Sequence, residues 1–177
     1  MTVEAGTNVT LIGMPGSGKS TIGVVLAKRI NLQFVDTDLI IQTSQQRTLQ
    51  QIMDAEGFDR FCQIEENAVL SLEVDHHVIA TGGSVCYGAE GMAHLKRLGR
   101  IVFLKTSLQT LEQRLSNMAT RGIALKPGQS LEHLLNERNE LYEKYAEITI
   151  ECDGLNVERI SERIEAALSR AVRPTSE

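Results

Sequence analysis

Gly13-Met14-Pro15-Gly16-Ser17-Gly18-Lys19-Ser20 is the stretch whose reading decides the fold of this chain. It fills every specified position of G-x-x-x-x-G-K-[ST], the signature of a phosphate-binding loop, or P-loop. Immediately before it, Asn8-Val9-Thr10-Leu11-Ile12 is a short apolar, β-branched run that reads as a buried strand. Immediately after it, Ile22, Val25, Leu26 and Ile30 fall at helical spacing across residues 21–30. In a strand–glycine loop–helix unit, backbone amides and a helix N-terminus wrap phosphate oxygens. The expected nucleoside triphosphate contacts are therefore Gly13, Pro15, Gly16, Ser17, Gly18, Lys19, Ser20 and Thr21. Lys19 would reach the β- and γ-phosphates of ATP, and the Ser20 hydroxyl would ligate Mg²⁺. A ligand-free glycine turn is the bland alternative, and a fully matched motif in this context makes it a poor one.

Working outward, short strands alternate with amphipathic helices. Residues 32–35 read as a second strand, ending at Asp36-Thr37-Asp38. Thr48 is a plausible cap for a short helix carrying Leu49, Ile52 and Met53. A longer helix is expected over residues 59–73, with Phe61, Ile64, Ala68 and Leu72 as its apolar stripe. His77-Val78-Ile79-Ala80 is the third strand, followed by Thr81-Gly82-Gly83-Ser84; residues 92–98 are helical, with Gly99 as the stop. Ile101-Val102-Phe103-Leu104 is the fourth strand, and a helix with Leu108, Leu111 and Leu115 starts near Ser107. Periodicity lapses from 116 to 130, which predicts a mobile lid. Ser130 then caps a helix carrying Leu131, Leu134, Leu135, Leu141 and Tyr142. Ile148-Thr149-Ile150 is the fifth strand, and Val157, Ile160, Ile164 and Leu168 mark the last helix. Such alternation predicts an α/β fold, a parallel sheet covered on both faces in three layers.

The 177 residues are most simply one domain, with a frayed tail expected over 171–177. A net charge of −5 is a poor match to nucleic-acid binding, which needs clustered Lys and Arg. Cys62, Cys86 and Cys152 are scattered, with no C-x-x-C pair to suggest zinc or redox chemistry, so reduced thiols in a cytoplasm are expected. No apolar run approaches the ~20 residues that span a bilayer, and Met1-Thr2-Val3-Glu4 does not open like a signal peptide. The chain thus reads as a cytoplasmic protein, expected to be a monomer, with no membrane or nucleic-acid partner. No Asn-Lys-x-Asp guanine motif occurs, and the loop spacing is not the G-x-G-x-x-G of dinucleotide-binding domains.

In such folds ligands sit beyond the carboxyl ends of the strands. Asp36 and Asp38 fall there and, in extended chain, would point to the same side. Two carboxylates beside a triphosphate suggest one for the Mg²⁺ shell and one for an acceptor hydroxyl, although Asp is also common as a turn residue or cap. Gly82 and Gly83 would let backbone approach a ligand closely. Arg138 lies on the core-facing stripe of its helix, and a guanidinium there needs an anionic partner, either an internal carboxylate or a bound ligand. Arg121, in the aperiodic stretch, is either a mobile cation that closes over phosphate or, on charge alone the better reading, a solvated surface residue.

Taken together, these features resemble the shikimate kinase family over residues 9–152. The residues that carry the resemblance are Gly13 to Ser20 with Thr21-Ile22-Gly23, Phe34-Val35-Asp36-Thr37-Asp38, Ile79-Ala80-Thr81-Gly82-Gly83, Arg114, Arg121, and Arg138 with Leu141-Tyr142. The resemblance implies a fold like that of nucleoside monophosphate kinases, with a five-stranded parallel sheet and a moving lid. It implies ATP and Mg²⁺ as cofactors, and transfer of the γ-phosphoryl group to the 3-hydroxyl of shikimate. It makes Lys19, Asp36 and Arg121 catalytic, Asp36 and Ser20 the Mg²⁺ side, and Arg114 a residue that packs on adenine. Asp38 would bond the acceptor hydroxyls, Gly82 and Gly83 would offer backbone, and Arg138 would pair with the shikimate carboxylate.

Three departures from the family pattern bear on the acceptor. Where the family carries G-E-x-x-F-R, this chain reads Gly57-Phe58-Asp59-Arg60-Phe61-Cys62, so Cys62 replaces an arginine expected to clamp the carboxylate. Arg60 is no substitute, lying roughly 200° away around the helix. The third glycine of the family's triplet is Ser84, which would matter if that turn needs a positive φ. The lid's usual Arg-Pro is Arg121-Gly122, which should loosen it. A kinase for another small-molecule polyol, with fewer cationic clamps, is therefore the alternative acceptor reading. A non-catalytic ATP-binding module fits less well with Lys19, Ser20, Asp36 and Arg121 all present.

Overall fold

A computed structural model describes residues 8–116 and 128–171. The expected alternation is there. In chain order the elements are β1 (Asn8–Ile12), α1 (Lys19–Ile30), β2 (Gln33–Asp36), α2 (Thr37–Gln45), α3 (Leu49–Leu70), β3 (His77–Ala80), α4 (Ala89–Leu98), β4 (Gly99–Lys105), α5 (Leu108–Ser116), α6 (Leu131–Tyr145), β5 (Ile148–Glu151) and α7 (Val157–Ala171), with one 3₁₀ turn at Val85–Tyr87. The five strands form one sheet in the order β2-β3-β1-β4-β5, every neighbouring pair parallel.

Alternation along each strand sorts the core into two layers. Val9, Leu11, Val78, Val102 and Leu104 pack on Ile22 and Leu26 of α1 and on Ile160 and Ile164 of α7. Ile12, Ile79, Ile101 and Phe103 face the other way, onto Val69, Met92, Leu134 and Tyr142 of α3, α4 and α6. Both faces are covered, as a parallel sheet requires. The connections leaving β1 and β3 go to opposite faces, so a crevice opens between the ends of these neighbouring strands. The P-loop and Thr81-Gly82-Gly83 sit at its two lips.

Three local differences from the sequence expectation have physical causes. Asp36 and Asp38 do not share an extended stretch. Asp36 ends β2 and caps α2, its carboxylate accepting a hydrogen bond from the Asp38 amide at 2.9 Å, so Asp38 lies in the first helical turn. The sequence reading has no α2, because Thr37-Asp38-Leu39-Ile40-Ile41 is rich in β-branched residues and makes no repeating apolar stripe. The helices expected after Thr48 and from 59 are one element, α3, broken at Gly57 where φ is 77° and ψ 174°. Its start is as expected: Thr48 and Gln51 form a reciprocal capping box, Thr48 accepting at 3.2 Å and Gln51 at 2.9 Å. Ser130 likewise caps α6, accepting from the His133 amide at 3.1 Å. The tail from 172, and the lid segment 117–127 with Arg121 and Gly122, lie outside the described residues.

Candidate active site

The P-loop turns through φ values of 83° at Gly16 and 97° at Gly18, conformations that suit only glycine. Gly18 is the N-cap of α1 and offers no side-chain cap, so the first-turn amides of that helix are left for a ligand. Lys19 is nearly buried, 7% exposed, and its ammonium donates to the Gly13 and Met14 carbonyls at 2.7 and 2.9 Å. Burial lowers its pKa to about 8, opposed by the nearby Asp38 and Glu65 carboxyls. Arg114 of α5 braces the outer side of the loop, donating to the Gly16 and Ser17 carbonyls at 3.0 and 3.2 Å.

Across the crevice the Thr81 hydroxyl donates to the Leu11 carbonyl at 2.9 Å, which ties the end of β3 to β1. Gly82 follows, wedged between carboxylates: a Cβ there would lie 1.9 Å from Glu65 Oε1 and 2.9 Å from Asp38 Oδ1. At Gly83 a Cβ would meet Pro15 at 2.6 Å and Arg138 Nη1 at 3.0 Å. Two adjacent positions without side chains therefore let backbone, carboxylates and guanidinium converge. Arg138 is fully buried on α6; it donates through Nη2 to Ser84 Oγ at 3.3 Å and through Nε to the Tyr87 hydroxyl at 3.4 Å. The Tyr142 hydroxyl donates to the Gly83 carbonyl and fixes the same turn from below.

The two halves share one cleft of about 610 Å³, with Lys19, Ser20, Asp36, Asp38, Glu65 and Arg138 in its walls. That is the size range of small-ligand sites. Pro15, Gly16, Gly18, Thr21, Gly82 and Gly83 line it as well. Most residues read from sequence as nucleotide or acceptor groups share this cleft, whereas Gly13, Ser17 and Arg114 are not among those lining it. Among the described residues no cluster of three His, Cys, Asp or Glu is set to hold a metal by itself.

Glu65 was not expected here. It lies at the floor of the cleft, 1% exposed, and burial pushes its pKa up to about 8, with the Asp38 charge adding to the rise. Arg138, Lys19 and the Ser84 backbone amide pull the other way, yet neither carboxyl oxygen closes a hydrogen bond of normal geometry. The expected stripe of Phe61, Ile64, Ala68 and Leu72 does face inward, and Glu65 and Val69 lie on the same face of α3. A glutamate on that face was the available signal.

The raised pKa has a stability consequence of definite sign. Between the ordinary glutamate value and about 8 the folded state holds a proton that the unfolded state has lost, so stability falls as pH rises through that window. Glu65→Gln is expected to flatten the fall in Tm between pH 5 and 8 and to be more stable than the parent at pH 8, by at least about 1 kcal/mol. Parallel Tm-against-pH curves for the two proteins would contradict this.

Comparison with known proteins decides the family. The model of the shikimate kinase family matches residues 15–169. The chain belongs to the shikimate kinase family. A shikimate kinase from Thermodesulfovibrio yellowstonii is 35% identical over 160 residues, covering 89% of this chain and 92% of that one. Among solved structures, a shikimate kinase from Acinetobacter baumannii in complex with shikimate superposes with a TM-score of 0.86 at 30% identity, over 94% of this chain and 96% of the other. The enzyme from Aquifex aeolicus gives 0.78 at 26%, over 93% and 98%.

Two of the three departures from the shikimate kinase pattern can now be placed. Ser84 has φ −90° and ψ −2°, an ordinary right-handed conformation, so the serine brings no backbone strain; its hydroxyl instead holds Arg138. Arg60 points to solvent, 57% exposed, where it pairs with Glu56 and donates to Gln63 at 3.0 Å. It supplies no cation to the cleft, as its position around the helix predicts. Phe61 and Glu65, rather than Cys62, line the cavity from α3. None of the three cysteines forms a disulfide, and burial pushes the Cys86 thiol up to about 12, which leaves it inert. Among the described residues no helix is long and apolar enough to cross a membrane.

Proposed function

We propose that this chain transfers the γ-phosphoryl group of ATP to the 3-hydroxyl of shikimate. The observation that carries the reading is the shared cleft that Lys19 of the P-loop lines together with Asp38, Gly83 and Arg138. In this reading the amides of the loop and of the first turn of α1 cradle the triphosphate, and Lys19 exchanges its own-loop carbonyls for phosphate oxygens. Arg138 fixes the acceptor's carboxylate, Gly82 and Gly83 present backbone, and Asp38 hydrogen-bonds the reacting hydroxyl. Arg114 packs on adenine, and Arg121 closes over the transferring group. Such chemistry needs positioning and charge stabilisation rather than a covalent intermediate.

Ser20 and Asp36 suit Mg²⁺, since both supply hard oxygens to the same cleft, and this ion usually takes one or two protein oxygens beside water and phosphate. Bound there, it would neutralise charge on the phosphates. The protein is proposed to act as a cytoplasmic monomer. An ADP-release assay with shikimate and a panel of polyols tests the activity. Mg²⁺-dependent turnover with shikimate is expected; ADP release no faster with shikimate than without acceptor would refute it.

Cys62 favours one second reading, a related kinase for a polyol that needs fewer cationic clamps. Substitution separates the two. If shikimate is the acceptor, Cys62→Arg should lower its KM by about ten- to a hundredfold, the worth of one charge-assisted hydrogen bond, while the KM for ATP stays within about twofold. An unchanged or higher shikimate KM would favour the other polyol.

A further inference from the structure

The neighbours of Arg138 form a chain of hydrogen bonds whose direction is fixed by chemistry. An arginine can only donate and an ionised glutamate can only accept. The Tyr87 hydroxyl lies between them, receiving from Arg138 Nε at 3.4 Å and donating to Glu137 Oε1 at 2.6 Å. The other oxygen of Glu137 accepts from the Gln129 amide at 2.9 Å. Burial and the Glu137 carboxylate push the Tyr87 phenol up to about 12, so it keeps the proton this chain needs.

The ring is held as firmly as the hydroxyl. Phe58, in the second part of α3, meets the Tyr87 ring edge to face, with centroids 5.5 Å apart and planes at 77°. The Arg138 guanidinium lies 5.3 Å from the Tyr87 ring centroid, within cation–π range. Tyr87 therefore contacts Arg138 twice, by its hydroxyl and by its face. The 3₁₀ turn that presents Tyr87 begins directly after Ser84, whose hydroxyl takes Nη2. One short turn thus sets both the tilt and the depth of the guanidinium.

We infer that Tyr87, backed by Glu137 and Phe58, is a positioning residue that sets the angle at which Arg138 meets an anionic acceptor group. It acts through Arg138 and touches no reacting atom. A neutral phenol suits this task. It orients the guanidinium without cancelling its charge, whereas a carboxylate in the same place would compete with the acceptor. The negative charge of Glu137 stays one group removed.

The inference rests on the proposed acceptor reading only for its kinetic arm, so two measurements are paired. Tyr87→Phe keeps the ring, the Phe58 contact and the cation–π stacking, and removes only the hydroxyl. In ¹⁵N-resolved NMR the Arg138 Nε–Hε signal should be protected from exchange in the parent protein and lose that protection in Tyr87→Phe. In kinetics, Tyr87→Phe should raise the shikimate KM about two- to tenfold, less than the full worth of a hydrogen bond to a charged group because Tyr87 acts only through the orientation of Arg138, with kcat and the ATP KM unchanged. Glu137→Gln, which keeps an oxygen to accept from the Tyr87 hydroxyl, should leave the shikimate KM close to the parent's. An Arg138 signal identical in parent and Tyr87→Phe overturns the inference, as does an ATP KM that rises in step with the shikimate KM. If the parent shows no turnover with shikimate, the proposed function falls, and the NMR comparison still decides the role of Tyr87.

Discussion

Lys19→Met is expected to reduce phosphoryl transfer by about 10²- to 10³-fold, the usual cost of losing one pre-organised group that stabilises transition-state charge. The same variant should be no less stable than the parent without nucleotide. Lys19 is nearly buried, and burial lowers its pKa to about 8. Since the folded value lies below the unfolded one, the folded state binds fewer protons between them. The parent's stability therefore rises with pH from about 8 toward the ordinary lysine value, and the deficit is present in full below 8. Methionine fills a similar volume without that penalty. It forfeits the two bonds to the Gly13 and Met14 carbonyls, but those acceptors belong to a loop built to exchange partners. The variant should thus pair lost activity with an unchanged or higher Tm, and should gain less stability from added ATP than the parent does. The measurements are turnover, together with Tm with and without nucleotide across pH 7 to 10. A Tm well below the parent's would make Lys19 a structural residue. Full activity would remove the P-loop from the mechanism.

The fold was legible because its signals are local and repeated. β1, the P-loop and α1 follow from residues 8–30, and the remaining strands follow from short apolar runs such as Ile101-Val102-Phe103-Leu104. Arg138 was legible as an anomaly, a permanent cation on an apolar stripe, though the stripe alone left open what it pairs with. What the sequence reading lacks depends on packing between segments far apart in the chain. Glu65 becomes notable only once α3 is packed, because it sits between the apolar residues Phe61, Ile64 and Ala68 on the inward face, where a carboxylate reads from sequence as a helix-surface residue. Tyr87 acquires its role from Glu137 and Phe58, 50 positions ahead in one case. α2 was hidden for another reason: its nucleation rests on Asp36 capping Asp38, while its β-branched residues suggest continued strand. The Ser84 question was answerable only by a dihedral angle, which a sequence does not carry.

Arg138→Leu is expected to raise the shikimate KM by at least about a hundredfold, because a bidentate guanidinium–carboxylate contact comprises two charge-assisted hydrogen bonds, each worth roughly 1.5–3 kcal/mol. The KM for ATP should stay within about twofold, since the groups that Arg138 touches, Ser84 and Tyr87, belong to the acceptor side of the cleft. Arg138→Lys should fall between, about tenfold above the parent, because an ammonium keeps the charge but not the planar fork. Stability separates a ligand-binding arginine from a structural one. Arg138 is 0% exposed among Leu134, Leu135 and Tyr142, so an apolar replacement removes a desolvated charge and leaves an apolar stripe unbroken. Replacing buried ions with packed hydrophobic residues is often neutral or stabilising. Glu65 would respond in the opposite sense: Arg138 is one of the charges that lower its pKa, so without it Glu65 should hold its proton to higher pH. A near-parental Tm beside a hundredfold rise in shikimate KM therefore assigns the buried charge to the acceptor. A collapse of Tm with both KM values shifted together assigns it to the fold. A shikimate KM within about threefold of the parent's would mean that the anion Arg138 is built to meet is not shikimate's carboxylate.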